Sequence, residues 1–178
     1  DYPEANFLIT ANSLSAFQDL ARSHRLQFNI PIIGITGSNG KTIVKEWLNT
    51  CLKKSYNTCK SPKSYNSQVG VSLSVIGLKQ GHEIGIFEAG ISQKGEMMRL
   101  KNIIQPSIGI FTNIGQAHSE NFESLKEKTR EKASLFTEVE KLVYCKDHKE
   151  IHEAAIGIHN AQLYAWSSKD NSAFVYVK

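Results

Sequence analysis

Ile30-Pro-Ile-Ile-Gly34-Ile-Thr-Gly37-Ser-Asn-Gly40-Lys-Thr42 is the stretch on which the fold turns. A short apolar run, Ile30 to Ile35, leads into a glycine-rich turn ending in Gly-Lys-Thr, and a helical pattern starts at Thr42. This is the layout of a phosphate-binding loop. Gly37 and Gly40 allow positive φ and close backbone approach to an anion. The N–H groups through Ser38 and Asn39 and the start of the helix surround phosphate oxygens, Lys41 adds a point charge, and the Thr42 hydroxyl suits Mg²⁺. Ile35 stands where the general G-x-x-x-x-G-K-[ST] pattern has its first glycine. The competing reading is an ordinary strand-to-helix turn. After the turn, Ile43, Val44, Trp47, Leu48, Cys51 and Leu52 form the apolar stripe of a helix laid on a sheet.

With 178 residues and 40% hydrophobic content, the chain can bury a core and reads as one main domain. The net charge of +4 is slight, and much of the basic excess lies between Lys41 and Lys63, beside the loop. That placement suits a polyanionic ligand rather than a nucleic-acid surface, and no interleaving of basic and aromatic residues argues otherwise. Three cysteines without metal-ligand spacing (Cys51, Cys59, Cys145) fit a reduced, cytoplasmic chain with free thiols, and Cys51 reads as packing. No signal peptide and no membrane-length apolar run is present.

Further along, apolar runs alternate with helical patterns. Strands are predicted at Asn57 to Cys59, Ile84 to Glu88, Ile108 to Thr112, Leu142 to Cys145, Leu163 to Trp166 and Ala173 to Val177. Helices are predicted near Ser67 to Gly77, Gly95 to Ile104, Glu120 to Glu138 and Lys149 to Ile156. The alternation predicts a doubly wound α/β domain with a mostly parallel sheet, whose late strands could instead run antiparallel at an edge. Residues 1–29 stand apart: a strand at Phe7 to Ile9 and a helix capped by Ser13 and ending near Arg25 read as a connector from a preceding domain, with the phosphate-loop domain spanning 30–178.

Ligands of such sheets gather at the carboxyl ends of the strands. Glu88 ends one strand, placing a carboxylate where a metal bound to ATP phosphates would sit, or else a solvated charge. Another strand end delivers Asn113 and His118 toward the same rim, where His118 is either a ligand or a surface residue. On the next helix Leu125, Thr129, Lys132 and Phe136 share one stripe, so Lys132 faces inward. Either its stem snorkels to the surface, or its neutral amine takes up CO₂ to become an anionic carbamate.

Together, Gly34 to Thr42, Lys63-Ser-Tyr-Asn66-Ser-Gln-Val-Gly70-Val, Phe87-Glu-Ala-Gly90, Thr112-Asn-Ile-Gly-Gln-Ala-His118 and Lys132-Ala-Ser-Leu-Phe136 resemble the ATP-binding central domain of the Mur ligases. The branch most similar (MurF) joins D-alanyl-D-alanine to UDP-N-acetylmuramoyl-tripeptide. The Ser61-Pro-Lys-Ser-Tyr-Asn66 and Gly85-Ile-Phe-Glu-Ala-Gly-Ile-Ser92 segments resemble its version fused to an alanine racemase. The resemblance runs from about Ile30 to Cys145.

The resemblance implies that Lys41 and the loop amides hold the β- and γ-phosphates of ATP, with Asn66 and Asn113 near the γ-phosphate. Thr42 and Glu88 would bind one Mg²⁺, and His118 a second, assisted by Lys132 as its carbamate. Ser67 replaces the second asparagine of the family's Asn-Asn pair, and Ser72 a proline. The implied reaction is amide ligation through an acyl phosphate in peptidoglycan precursor synthesis. Domains for the UDP sugar and the incoming amine are not recognised in this sequence, which suggests an excised or truncated central domain that does not ligate alone. Two other readings remain: an amide ligase of the folylpolyglutamate synthetase kind, and a non-catalytic phosphate-loop module that binds nucleotide.

Overall fold

The computed structural model describes residues 4, 6–115 and 121–178. Its elements alternate as the sequence predicts: α1 (Ser13–Arg25), β1 (Ile32–Thr36), α2 (Lys41–Leu52), β2 (Thr58–Lys60), α3 (Gln68–Ile76), β3 (Ile84–Glu88), α4 (Glu96–Ile104), β4 (Ile108–Phe111), α5 (Leu125–Ala133), β5 (Lys141–Cys145), α6 (Lys149–Ile156), β6 (Gln162–Ser167) and β7 (Val175–Tyr176). A 3₁₀ turn, Ser134–Phe136, extends α5.

All seven strands pair in parallel, in the order β2-β3-β1-β4-β5-β6-β7. The late strands are therefore not antiparallel: β6 follows the crossover helix α6 and lies parallel on β5, with Leu142 opposite Leu163, and β7 continues beside Ser167. From β1 the chain first moves to one side, through α2 to β2, and later to the other, through α4 to β4. The reversal places the switch point around the carboxyl end of β1, where doubly wound sheets hold ligands.

The pleat sends alternate residues to opposite faces. Ile32, Phe87, Phe111, Leu142 and Tyr144 join the larger core with residues of α1, α3, α4, α5 and α6, while Ile33, Ile35 and Ile86 pack under Val44, Leu48 and Leu52 of α2. The inner column of α2 thus differs from the predicted stripe. Ile43, Trp47 and Cys51 face solvent, and Lys45 is buried in their stead. All three cysteines are free thiols.

Two N-terminal expectations also change. Phe7, Leu8 and Ile9 form no strand and are 73, 89 and 94% exposed, and among the described residues no strand pairs with them. Asn12, not Ser13, caps α1, its side-chain oxygen accepting the Ser15 amide at 2.9 Å. The helix packs on α3 and α4, with Ala21 fully buried and Arg25 donating to the carbonyls of Ile104 (3.0 Å), Phe28 (2.6 Å) and Gln105 (3.3 Å). Helix α5 starts later than predicted, because Ser124 caps it by accepting the Glu127 amide at 3.1 Å.

Candidate functional site: a phosphate loop at the sheet switch point

The loop between β1 and α2 has the backbone its glycines foretell. Gly37 has φ 148° and Gly40 φ 80°. At Gly37 a Cβ would fall 2.0 Å from Thr112 Oγ1 and 2.9 Å from the Asn113 carbonyl oxygen, so the loop lies against the end of β4 with no room for a side chain. That proximity is bonded. The Ser38 amide donates to the Asn113 carbonyl at 2.9 Å, the Asn39 amide to Asn113 Oδ1 at 2.8 Å, and the Thr112 hydroxyl to the Asn39 carbonyl at 2.6 Å.

These bonds narrow the expected phosphate nest. The amides of Ser38 and Asn39 are engaged by Asn113, whose amide group holds the loop itself. What remains for an anion is the start of α2: Val44 makes the helix's first backbone bond, to Gly40, so the amides of Gly40, Lys41, Thr42 and Ile43 have no intrahelical acceptor. Such a terminus attracts anions through both its N–H groups and its dipole. Lys41 Nζ folds over the loop, donating to the Gly37 carbonyl at 2.9 Å and reaching that of Ser38 at 3.4 Å. Burial lowers its pKa, opposed by the charge of Glu88.

Glu88, at the end of β3, is fully buried, which rules out a solvated charge. Its Oε2 accepts the Thr42 hydroxyl at 3.0 Å, and its backbone amide donates to Ser61 Oγ at 3.2 Å. Oε1 accepts no hydrogen bond of good geometry, yet faces Lys45 Nζ at 3.0 Å as an ion pair. A buried carboxylate whose Oε2 meets a threonine hydroxyl suits a hard cation. Among the described residues no cluster of three or more His, Cys, Asp or Glu could cage a metal. The Glu88 carboxylate and the Thr42 hydroxyl are hard oxygen donors, of the kind that hold Mg²⁺ in small number together with phosphates.

A cleft of about 370 Å³ opens beside the loop, lined by Gly37, Ser38, Lys41, Asn66, Gly90 and Lys132 among others. Asn66 is held at its wall by its carbonyl, which accepts the Gly90 amide at 2.8 Å, and a Cβ on Gly90 would sit 2.7 Å from Asn66 Oδ1. Lys132 is buried on the inner stripe of α5, as predicted, with Thr129 and Phe136. Its pKa falls to about 7, first through burial and then through the cations Lys41 and Lys128, with Glu131 opposing. The Glu131 carboxylate is itself turned to the start of α4, accepting the amides of Gly95 (2.9 Å) and Met97 (3.1 Å).

The structure thus gathers Gly37, Ser38, Asn39, Gly40, Lys41, Thr42, Asn66, Glu88, Asn113 and Lys132 around one rim. His118 lies outside the described residues. Sequence reasoning missed Lys45, although it falls three residues after Thr42 and hence on the same helix face. It also missed Lys128, buried one turn before Lys132 and donating to the Gly115 carbonyl.

Comparison with known proteins bears on the fold and the family. The Mur ligase middle domain family matches residues 35–177. The chain is 40% identical over 129 residues to the UDP-N-acetylmuramoyl-tripeptide--D-alanyl-D-alanine ligase of Borreliella burgdorferi, an alignment covering 72% of this chain but only 28% of that protein. Its fold is similar to MurF from Acinetobacter baumannii (TM-score 0.85, 24% identity, 91% of this chain and 37% of that one). It is likewise similar to MurF ligase from Thermotoga maritima in complex with ADP (TM-score 0.84, 24% identity, 94% of this chain and 40% of that one).

Proposed function

The chain belongs to the Mur ligase family through its middle domain, and from that premise we propose that it is the ATP-binding part of a ligase joining D-alanyl-D-alanine to UDP-N-acetylmuramoyl-tripeptide. The observation that carries this reading is the convergence of Lys41, Thr42 and Glu88 at an open helix N-terminus, with the Thr42 hydroxyl 3.0 Å from the Glu88 carboxylate. The named ligase relative supports the choice of substrates, and the ADP complex of a MurF neighbour supports the choice of nucleotide. Because the chain spans under a third of that relative's length, the UDP sugar and the amine would be bound by regions beyond this domain. On this reading the domain works in the cytoplasm, and no described helix is long and apolar enough to cross a membrane.

In the proposed reaction the substrate carboxylate attacks the γ-phosphorus of ATP, forming an acyl phosphate and releasing ADP. The amine then attacks the acyl carbon, phosphate leaves, and the amine proton is lost as the amide forms. The chain's residues act by binding and charge compensation. The helix-start amides and the Lys41 ammonium hold the phosphates, reducing repulsion between two anionic reactants and stabilising charge on the phosphoryl group in transfer. Thr42 and Glu88 would hold Mg²⁺, which supplies further charge neutralisation at the phosphoryl oxygens when bound. Asn113 keeps the loop in shape, and Asn66 borders the cleft, where it would lie near the γ-phosphate. Lys132, with its pKa near 7, offers a neutral amine that can add CO₂ and lose a proton. The resulting carbamate, with His118, would supply oxygen and nitrogen donors for a second Mg²⁺.

The test is turnover of the complete ligase with muramyl tripeptide, D-alanyl-D-alanine and ATP. Lys41→Ala abolishes acyl-phosphate formation and ADP release on this reading. Retained turnover contradicts it, and ATP binding without ligation in the unaltered protein makes the domain a nucleotide-binding module instead.

A further inference from the structure

Helix α2 carries an ammonium where an apolar residue would be expected. Lys45 is completely buried beside the column of Val44, Leu48 and Leu52. Burying a lysine is costly unless it is paired and hydrogen-bonded. Its partners join three separate segments: Glu88 Oε1 at 3.0 Å at the end of β3, Glu46 Oε1 at 3.2 Å on α2 itself, and the main-chain carbonyl of Lys63 in the loop before α3. Lys63 has φ 46°, a left-handed conformation unfavourable for a non-glycine residue.

The Lys63 loop is tied to β3 at both its ends. The Ser61 amide donates to the Ile86 carbonyl at 3.0 Å, Ser61 Oγ accepts the Glu88 amide at 3.2 Å, and the Asn66 carbonyl accepts the Gly90 amide at 2.8 Å. Lys45 fastens the middle of this loop to the same carboxylate that meets Thr42. With the ammonium against Oε1, the carboxylate keeps Oε2 turned to Thr42 Oγ1 at 3.0 Å.

We propose that Lys45 is a positioning residue for the metal: it fixes the rotamer of Glu88, so that Oε2 and the Thr42 hydroxyl form a ready pair of oxygen donors, and it locks the Asn66 loop to that pair. This rests on the reading of Thr42 and Glu88 as Mg²⁺ ligands. A buried ion pair contributes little net stability compared with apolar packing, which leaves placement of the carboxylate as its principal effect.

The experiment measures ATP affinity of the 178-residue chain with and without Mg²⁺, together with the electron paramagnetic resonance line shape of Mn²⁺ in the nucleotide complex. Lys45→Met and Lys45→Gln are compared with Glu88→Gln and the unaltered chain, and each is checked for cooperative melting. Both Lys45 variants lose about ten- to hundredfold of the affinity gained from the metal, change the Mn²⁺ line shape, and lose far less of the metal-free affinity. If they retain the full metal gain while Glu88→Gln loses it, the positioning role is overturned and the metal-ligand reading stands. If Glu88→Gln retains it too, that reading falls and this one with it. Loss of cooperative melting in both Lys45 variants makes the residue a structural one and overturns the proposal as well.

Discussion

Asn113 grips Asn39: its Oδ1 accepts the Asn39 amide at 2.8 Å, while its backbone carbonyl accepts the Ser38 amide at 2.9 Å. One residue at the end of β4 therefore sets the curvature of a loop that begins at the end of β1. The two amides it engages are the pair in the middle of the loop, so the anion is left to the helix start. Asn113 therefore works through the loop backbone.

Asn113→Ala removes the side-chain acceptor from Asn39 and keeps the backbone one from Ser38. The bond is partly solvated, so its loss costs about 1 kcal/mol of stability. Nucleotide affinity falls by more than that, because the loop must be reshaped on binding. Urea denaturation and calorimetric titration of the same variant separate the two effects. Unchanged nucleotide affinity would remove Asn113 from the site.

Arg25→Ala breaks three bonds from a buried guanidinium to the carbonyls of Ile104, Phe28 and Gln105. Two of these lie at the end of α4, where the helix's last carbonyls have no internal donor. The expected cost is about 2–3 kcal/mol, in the range of hydrogen bonds to charged groups. Nucleotide binding is unchanged, since neither Arg25 nor any of these three partners lines the cleft beside the loop. Urea denaturation measures the first and calorimetry the second.

Lys132 makes stability depend on pH. Its folded pKa of about 7 lies below the ordinary 10.5, so between these values the unfolded chain binds more protons and stability rises with pH. The contribution from one proton cannot exceed about 1.4 kcal/mol per pH unit. Burial and Lys41 push Lys128 the same way, and burial does so for Lys41, so the difference between the unaltered chain and Lys132→Met isolates the Lys132 part. Denaturation curves from pH 7 to pH 10 should be flatter for the variant. Equal slopes would mean that Lys132 stays charged in the folded state.

Much of this site was legible because glycine and lysine have few reasons to stand where they do. Gly37 and Gly40 mark backbone that only glycine adopts readily, and the strand before and the helix after them identify the turn. The inward Lys132 was visible from spacing alone. The inner column of α2 was not, because Ile43 and Trp47 are apolar but face solvent, while the lysine among them is buried against a carboxylate 43 positions later in sequence. No local pattern reports such a long-range partner. Asn113 illustrates a second limit: spacing brings an amide to the rim, but whether it turns to the ligand or to the loop depends on how closely two strand ends approach. Edge direction was equally hidden, since the alternation of β6 and β7 is compatible with either orientation, and the tertiary path through α6 decides it.

The central claim is that the loop from Gly37 to Thr42 holds a nucleoside triphosphate through Lys41 and the start of α2. Isothermal titration of ATP with Mg²⁺ into the 178-residue chain, beside its Lys41→Ala variant, tests this most directly. Loss of a charged donor to phosphate predicts an affinity drop of at least about tenfold in the variant, with melting unchanged. Equal ATP affinity in the two proteins would contradict the account.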